Sequence, residues 1–180
     1  VTTDKELLKL ARKFDPVILA DIYNTFSPGI YRYAMRLTGD QILAEECVAE
    51  SFSRLLHAFS TRRGPQDYLQ AYLYRIAHNW IVDYYRKKPF EPDLLDEKQA
   101  DDRCAPEELT GLSLQNHHLR KAILTLTPDQ QQVIALKYLQ GLENQEIARI
   151  IKKPVSAIKS LQHRALRSLK KLLDQQEVFS

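Results

Sequence analysis

Apolar residues recur every three or four positions along most of the chain, and nothing in the N-terminal half alternates with the two-residue period of a strand. Leu7, Leu8, Leu10, Ala11 and Phe14 make the first such stripe, behind Thr3 and Glu6 at capping-box spacing. Asp15-Pro16 and Ser27-Pro28 each set a capping side chain before a proline. Proline has no N–H to lose at the first helical position, so each pair predicts a helix start. Gly39 predicts a stop, and Asp40 a cap for a helix over about Gln41 to Ala58. Thr61 to Pro65 reads as a basic loop, and Asp67 as the start of a long helix ending at Pro89.

Residues 89–105 break the pattern with prolines, six acids and little apolar material. Such a segment buries too little surface to offset its ordering entropy and reads as a mobile linker. Helical spacing resumes near Pro106 and runs through Leu126; Thr127-Pro128 opens another helix, which Gly141 ends. The expected fold is all-α: two small helical domains, 1–88 and 111–180, joined by an acidic linker over 89–110.

Composition narrows the function classes. No apolar run approaches the roughly 20 residues of a membrane span, and no N-terminal pattern suggests a secretory signal. Cys47 and Cys104 make no disulfide framework. The chain reads as soluble and intracellular. Its net charge is only +3, but the charge is blocked: +4 over residues 62–88, −6 over 89–110 and +6 over 141–173. Two basic blocks around an acidic divider suit two surfaces for a polyanion.

Gly141 to Leu173 reads as helix-turn-helix. A short helix from about Glu143 to Ile151 is followed by a second that Pro154 begins. On the second, Val155, Ile158, Leu161, Ala165, Leu169 and Leu172 fall within roughly 120° of the helical wheel. Lys159, Ser160, His163, Arg164 and Arg167 share a separate basic arc with Lys170 and Lys171. An apolar stripe opposite a basic one lets a helix dock on its own domain and enter a DNA groove. A solvated basic face is the competing reading. His163 and the pair His117-His118 lack convergent ligands, so no metal site and no cofactor are expected.

On the helix after Asp67, Tyr68, Tyr72, Arg75, Asn79, Asp83 and Arg86 lie within roughly 80° of one another. Leu69, Leu73, Ile76, Trp80 and Tyr84 form the neighbouring apolar face. Rings and guanidinium groups along one stripe suit unstacked bases and their phosphates; a buried Arg75–Asp83 network with core tyrosines is the alternative. The preceding helix carries Glu45, Glu46 and Glu50, of which the last two share a face; such an acidic patch suits a protein contact, and a solvated face is the equal alternative. No glycine-rich phosphate loop, nucleophile–base pair or metal-spaced cluster is evident, so no enzyme is expected.

These motifs together resemble the extracytoplasmic-function sigma factors of the sigma-70 family, over about Leu19 to Lys88 and Leu119 to Leu173. Gly39-Asp40 with Ala44-Glu45-Glu46-Cys47-Val48-Ala49-Glu50 is similar to the family's acidic helix that grips the β′ clamp helices of RNA polymerase. Tyr72-Leu73-Tyr74-Arg75-Ile76-Ala77-His78-Asn79, with Asp83 and Arg86, is similar to the helix that opens and captures the −10 element. Leu126-Thr127-Pro128, Tyr138-Leu139-Gln140-Gly141-Leu142, Glu146-Ile147-Ala148, Ile158-Lys159-Ser160 and His163-Arg164-Ala165 resemble the −35-binding domain.

The resemblance implies a cytoplasmic transcription initiation factor whose partners are core RNA polymerase, through the β′ clamp helices and β flap, and promoter DNA. An anti-sigma factor or a DNA-bound recruiter is a further partner it leaves open. Lys152 and Pro154 stand where the family usually has glycine and a serine or threonine cap, and Leu161 where a basic residue is common. The recognition helix is therefore expected to supply affinity without a strong −35 preference. A polymerase-independent helix-turn-helix regulator is the alternative; it leaves the glutamate face and the Arg75–Arg86 stripe without roles.

Overall fold

The structure, a computed structural model, describes residues 4–87 and 118–177, and among them there are helices and no strands. Thr3 of the expected capping box, the 89–110 linker and the start of the helix expected from Pro106 lie outside these residues.

In the N-terminal module, α1 (Asp4–Ala11), α2 (Pro16–Thr38), α3 (Gln41–Ser60) and α4 (Leu69–Lys87) follow in order. The Asp15 carboxylate accepts from the Val17 and Ile18 amides, with Pro16 starting α2 as expected. Ser27-Pro28 does not start a helix; α2 runs through it to Thr38. Proline costs the ladder one hydrogen bond, but Ile22 and Ile30 on either side are both buried, and the shared core holds the helix in one piece. Gly39 closes α2 at φ 70, in the left-handed region that glycine tolerates, and Asp40 accepts from the Leu43 amide to open α3.

The core face of α4 is turned by roughly 80° from the one the hydrophobic pattern indicates. Leu69, Leu73, Ala77 and Ile81 are buried, but so are Tyr74 and His78, whereas Ile76, Trp80 and Tyr84 are only half-buried. Trp80 and Tyr84 stack on each other at 5.7 Å at the edge of the core. The polar atoms of Tyr74 and His78 find partners inside, which lets both side chains enter the core. Cys47 of α3 is fully buried, its thiol 3.7 Å from the Ala77 carbonyl oxygen, and burial pushes its pKa up to about 12.

In the C-terminal module, α5 (residues 118–124) leads into α6 (Pro128–Ile134), which widens into a π-helical turn, Ala135–Leu139. There the Gln140 amide donates to the Ala135 carbonyl at 3.1 Å. The helix-turn-helix pair follows: α7 (Asn144–Ile151) and the longer α8 (Val155–Glu177). Between them Lys152 sits at φ 59, ψ 43, so the helix-turn-helix keeps its left-handed turn without a glycine. Gln162 Nε2 donates to Asn144 Oδ1 at 2.7 Å, tying α8 to α7.

The two modules pack on one another. Helix α7 lies against α4, the π-helical turn against α2, and the buried apolar residues of both form one cluster. Gly39 belongs to this seam as well: a Cβ there would run into the Arg120 guanidinium of α5.

Candidate nucleic-acid interface

The basic arc of α8 is fully outside. Ile158, Leu161, Ala165 and Leu169 are buried against the rest of the module, and Lys159, Ser160, His163, Arg164 and Arg167 are all exposed. Leu161 is 7% exposed, so the position that carries a basic residue in the family's pattern is committed to the core. Arg164 Nε makes only a long, 3.4 Å contact with the Ser160 carbonyl, which leaves its guanidinium fork open to a base or phosphate.

The α4 stripe points away from that helix's core, but its members do not share one environment. Asn79 and Arg86 are exposed, Tyr68 is 47% exposed, and Tyr72, Arg75 and Asp83 are half-buried. Arg75 does not pair with Asp83. Its guanidinium lies 5.6 Å from the Tyr72 ring centroid, a cation–π contact, and Asp83 pairs instead with Arg86 at 3.0 Å. Tyr68 stands just ahead of α4 at φ 48, and the Arg149 guanidinium of α7 covers its ring at 5.1 Å. The N-terminal end of the stripe thus touches the helix-turn-helix through Arg149.

On α3, Glu45 and Glu46 are exposed and Glu50 half-buried. Glu45 accepts from Gln41 Nε2 at 2.9 Å, and Glu50 pairs with Arg54 at 2.7 Å. Among the described residues Glu46 has no such partner, and its carboxylate is exposed.

Residues that the pattern did not single out build the seam. His78 bridges Tyr33 and the Pro128 carbonyl, at 2.8 and 3.0 Å, and burial lowers its pKa to about 4 against the opposing pull of that carbonyl and of Asp129. Tyr33, wholly buried, has its phenol pushed well above the usual range by desolvation. Tyr74 Oη donates to Gln140 Oε1 at 3.4 Å. Tyr85 is raised to about 12, chiefly by burial, with Tyr84 and Asp40 adding and Arg120 opposing. A buried polar residue reads in sequence like any surface one; only its spacing of four from Tyr74 hinted that His78 shares a face.

Comparison with known proteins covers both modules. A Sigma-70 region 2 family model matches residues 22–89, and a Sigma-70, region 4 model residues 117–169. The ECF RNA polymerase sigma factor SigW of Bacillus subtilis is 32% identical over 186 residues, an alignment covering 94% of this chain and 96% of SigW. The ECF RNA polymerase sigma factor BldN of Streptomyces coelicolor is 32% identical over 173 residues; the match takes in 93% of this chain but spans only 65% of BldN's length. Among solved structures, CnrH in complex with the cytosolic domain of CnrY shares the fold with a TM-score of 0.68 at 20% identity, over 96% of this chain and 97% of that one. RpoE of Bartonella quintana, in complex with the anti-sigma factor NepR, does so at 0.56 and 22%, over 86% and 96%.

Proposed function

We propose, since this chain belongs to the ECF RNA polymerase sigma factors, that it binds core RNA polymerase, directs it to promoters and promotes opening of the duplex. The observation that carries this reading is the full-length match to SigW, in which both sigma-70 regions fall in order on one chain. Residues 1–88 then form the core-binding and −10 module, 89–110 the acidic linker, and 111–180 the −35 module. The polymerase supplies the active site, and this chain performs no covalent chemistry of its own. No described helix is long and apolar enough to cross a membrane, in keeping with work in the cytoplasm.

Each surface has a physical task. Glu46, with Glu45 and Glu50 beside it, offers negative charge to the basic polymerase clamp, and charge complementarity sets the register of such a contact. Tyr68, Tyr72, Arg75, Asn79, Asp83 and Arg86 engage the −10 strand once its bases unstack, when rings and cations have faces to bind. Lys159, Ser160, His163, Arg164 and Arg167 enter the −35 major groove. With Leu161 buried and Lys152 in the turn, more of that charge goes to phosphates, which position a protein without reading sequence. An anti-sigma factor is a further partner of this reading: RpoE was solved with the anti-sigma factor NepR, and CnrH with the cytosolic domain of CnrY.

The test is reconstituted transcription. Core RNA polymerase plus this chain is expected to initiate from a subset of a genomic promoter library, and the chain to co-purify with core enzyme. DNA binding without co-purification or initiation would favour a regulator that acts apart from polymerase.

A further inference from the structure

Where the two modules meet, a cavity of about 330 Å³ opens between the 63–68 loop, the first turns of α4 and the end of α7. Arg63, Arg75, Arg149 and Lys152 line it, and among the described residues none of the four has an ion-pair partner. The one acid in the lining is Asp67. Four cations drawn from three segments repel one another, and Asp67 can offset only one of the four charges. Tyr68 and Tyr72 stand among these cations, each with a guanidinium against its ring, at 5.1 Å from Arg149 and 5.6 Å from Arg75. The wall is also held in place. Arg12 of α1 donates to the Pro65 carbonyl at 2.6 Å, and Tyr68 is kept at φ 48, a strained conformation of the kind that collects at ligand sites.

We propose that this cavity binds a nucleoside polyphosphate, with the base against Tyr68 and Tyr72 and the phosphates among Arg63, Arg75, Arg149 and Lys152. The volume falls within the range of small-molecule sites, roughly 300–1,000 Å³. Guanidinium forks match phosphate oxygens two at a time, and tyrosine rings accept any base by stacking. An inorganic anion would satisfy the charge and leave both rings idle. Because Arg75 belongs to one module and Arg149 to the other, a bound polyphosphate cross-links them and holds α7 on α4. In that state Tyr68, Tyr72 and Arg75 are withheld from a promoter strand. This consequence rests on the reading of α4 as the −10 helix; the binding itself does not.

Isothermal titration of the full chain, with ATP and with inorganic tripolyphosphate as probes, tests the site. ATP is expected to bind saturably at one per chain, and tripolyphosphate about tenfold more weakly, the share that stacking contributes. Arg149→Gln with Lys152→Gln is expected to weaken ATP about tenfold. Lys5→Gln with Lys9→Gln, which removes the same charge from exposed positions on α1, should change it less than about twofold. No saturable ATP binding at millimolar concentration, equal affinity for the two probes, or an equal loss in the α1 variant would overturn the proposal. A single-stranded −10 oligonucleotide is expected to displace ATP. If ATP binds as described and the oligonucleotide does not compete, the nucleotide site stands and the DNA reading of α4 falls.

Discussion

His78 reaches across the boundary between the modules to Pro128, its Nε2 lying 3.0 Å from that carbonyl oxygen. A carbonyl only accepts, so Nε2 carries the proton, and Nδ1 is left to accept from Tyr33 Oη at 2.8 Å. The neutral ring satisfies both partners; an added proton would leave Nδ1 facing a hydroxyl that must turn away. The site is 2% exposed, so bulk solvent does not reach the ring to stabilise the charge.

Acid should therefore loosen this fold through one residue. The unfolded histidine titrates near 6.5 and the folded one near 4, so between those values the unfolded chain holds the extra proton. Stability rises with pH across that window. The contribution is complete above pH 6.5 and is lost as pH falls toward 4, by at most about 3 kcal/mol. Urea unfolding at pH 7, 6, 5 and 4 should show the decline. His78→Gln, which keeps a donor for Pro128 and cannot titrate, should show a shallower one; parallel curves for the two proteins would contradict the assignment.

The turn of the helix-turn-helix carries a cost that can be removed. Lys152 occupies the left-handed region at φ 59, where a side chain costs about 1 kcal/mol relative to glycine. Lys152→Gly should raise the melting temperature by about 2–4 °C. A lower melting temperature, measured by circular dichroism, would mean that the lysine side chain returns more than its backbone loses.

Charge reversal on α3 probes the polymerase contact. Glu46→Lys with Glu50→Lys should weaken binding to core RNA polymerase by about tenfold or more. The Glu50–Arg54 pair, whose side chains are 40% and 45% exposed, is lost as well, at a cost below about 1 kcal/mol, so the fold survives. Native gel titration against core enzyme reads the affinity and the helical spectrum reads the fold. An unchanged affinity places the clamp contact elsewhere.

On α4, Arg75→Ala and Asn79→Ala should each reduce promoter melting by about tenfold while closed-duplex binding stays within about twofold. Permanganate reactivity of unpaired thymines separates the two steps. Equal melting by variants and parent, with the fold intact, would remove these residues from the −10 contact.

Local chemistry was legible wherever a residue acts within its own turn. Asp15-Pro16, Gly39 and Asp40 cap helices as their side chains and φ preferences require, and the α8 wheel puts Ile158, Leu161, Ala165 and Leu169 in the core and the basic arc outside, with Val155 and Leu172 half-buried at the stripe's ends. What failed depended on distant partners. Ser27-Pro28 looks like a start until Ile22 and Ile30 are seen in one core, and the α4 face shifts because Tyr74 and His78 find Gln140, Tyr33 and Pro128 far along the chain. The same holds for the seam between modules: a hydrophobic pattern records that a face is covered and not by which element. Arg149 and Lys152 sit in a helix-turn-helix pattern as ordinary surface cations, and only the packing of α7 on α4 brings them to Tyr68.

The sealed thiol of Cys47 gives the N-terminal module its own clock. Thiolate, not thiol, attacks alkylating reagents, and this sulfur lies at full burial behind Ala77 with its pKa near 12. With Cys104 replaced by serine, a disulfide reagent such as dithionitrobenzoate can reach its only target when α3 and α4 part. At reagent concentrations high enough to outpace reclosing, the rate of colour release reads the rate of those partings. Run beside a parallel trace in 4 M urea, it separates breathing of this one helix pair from loss of the whole fold.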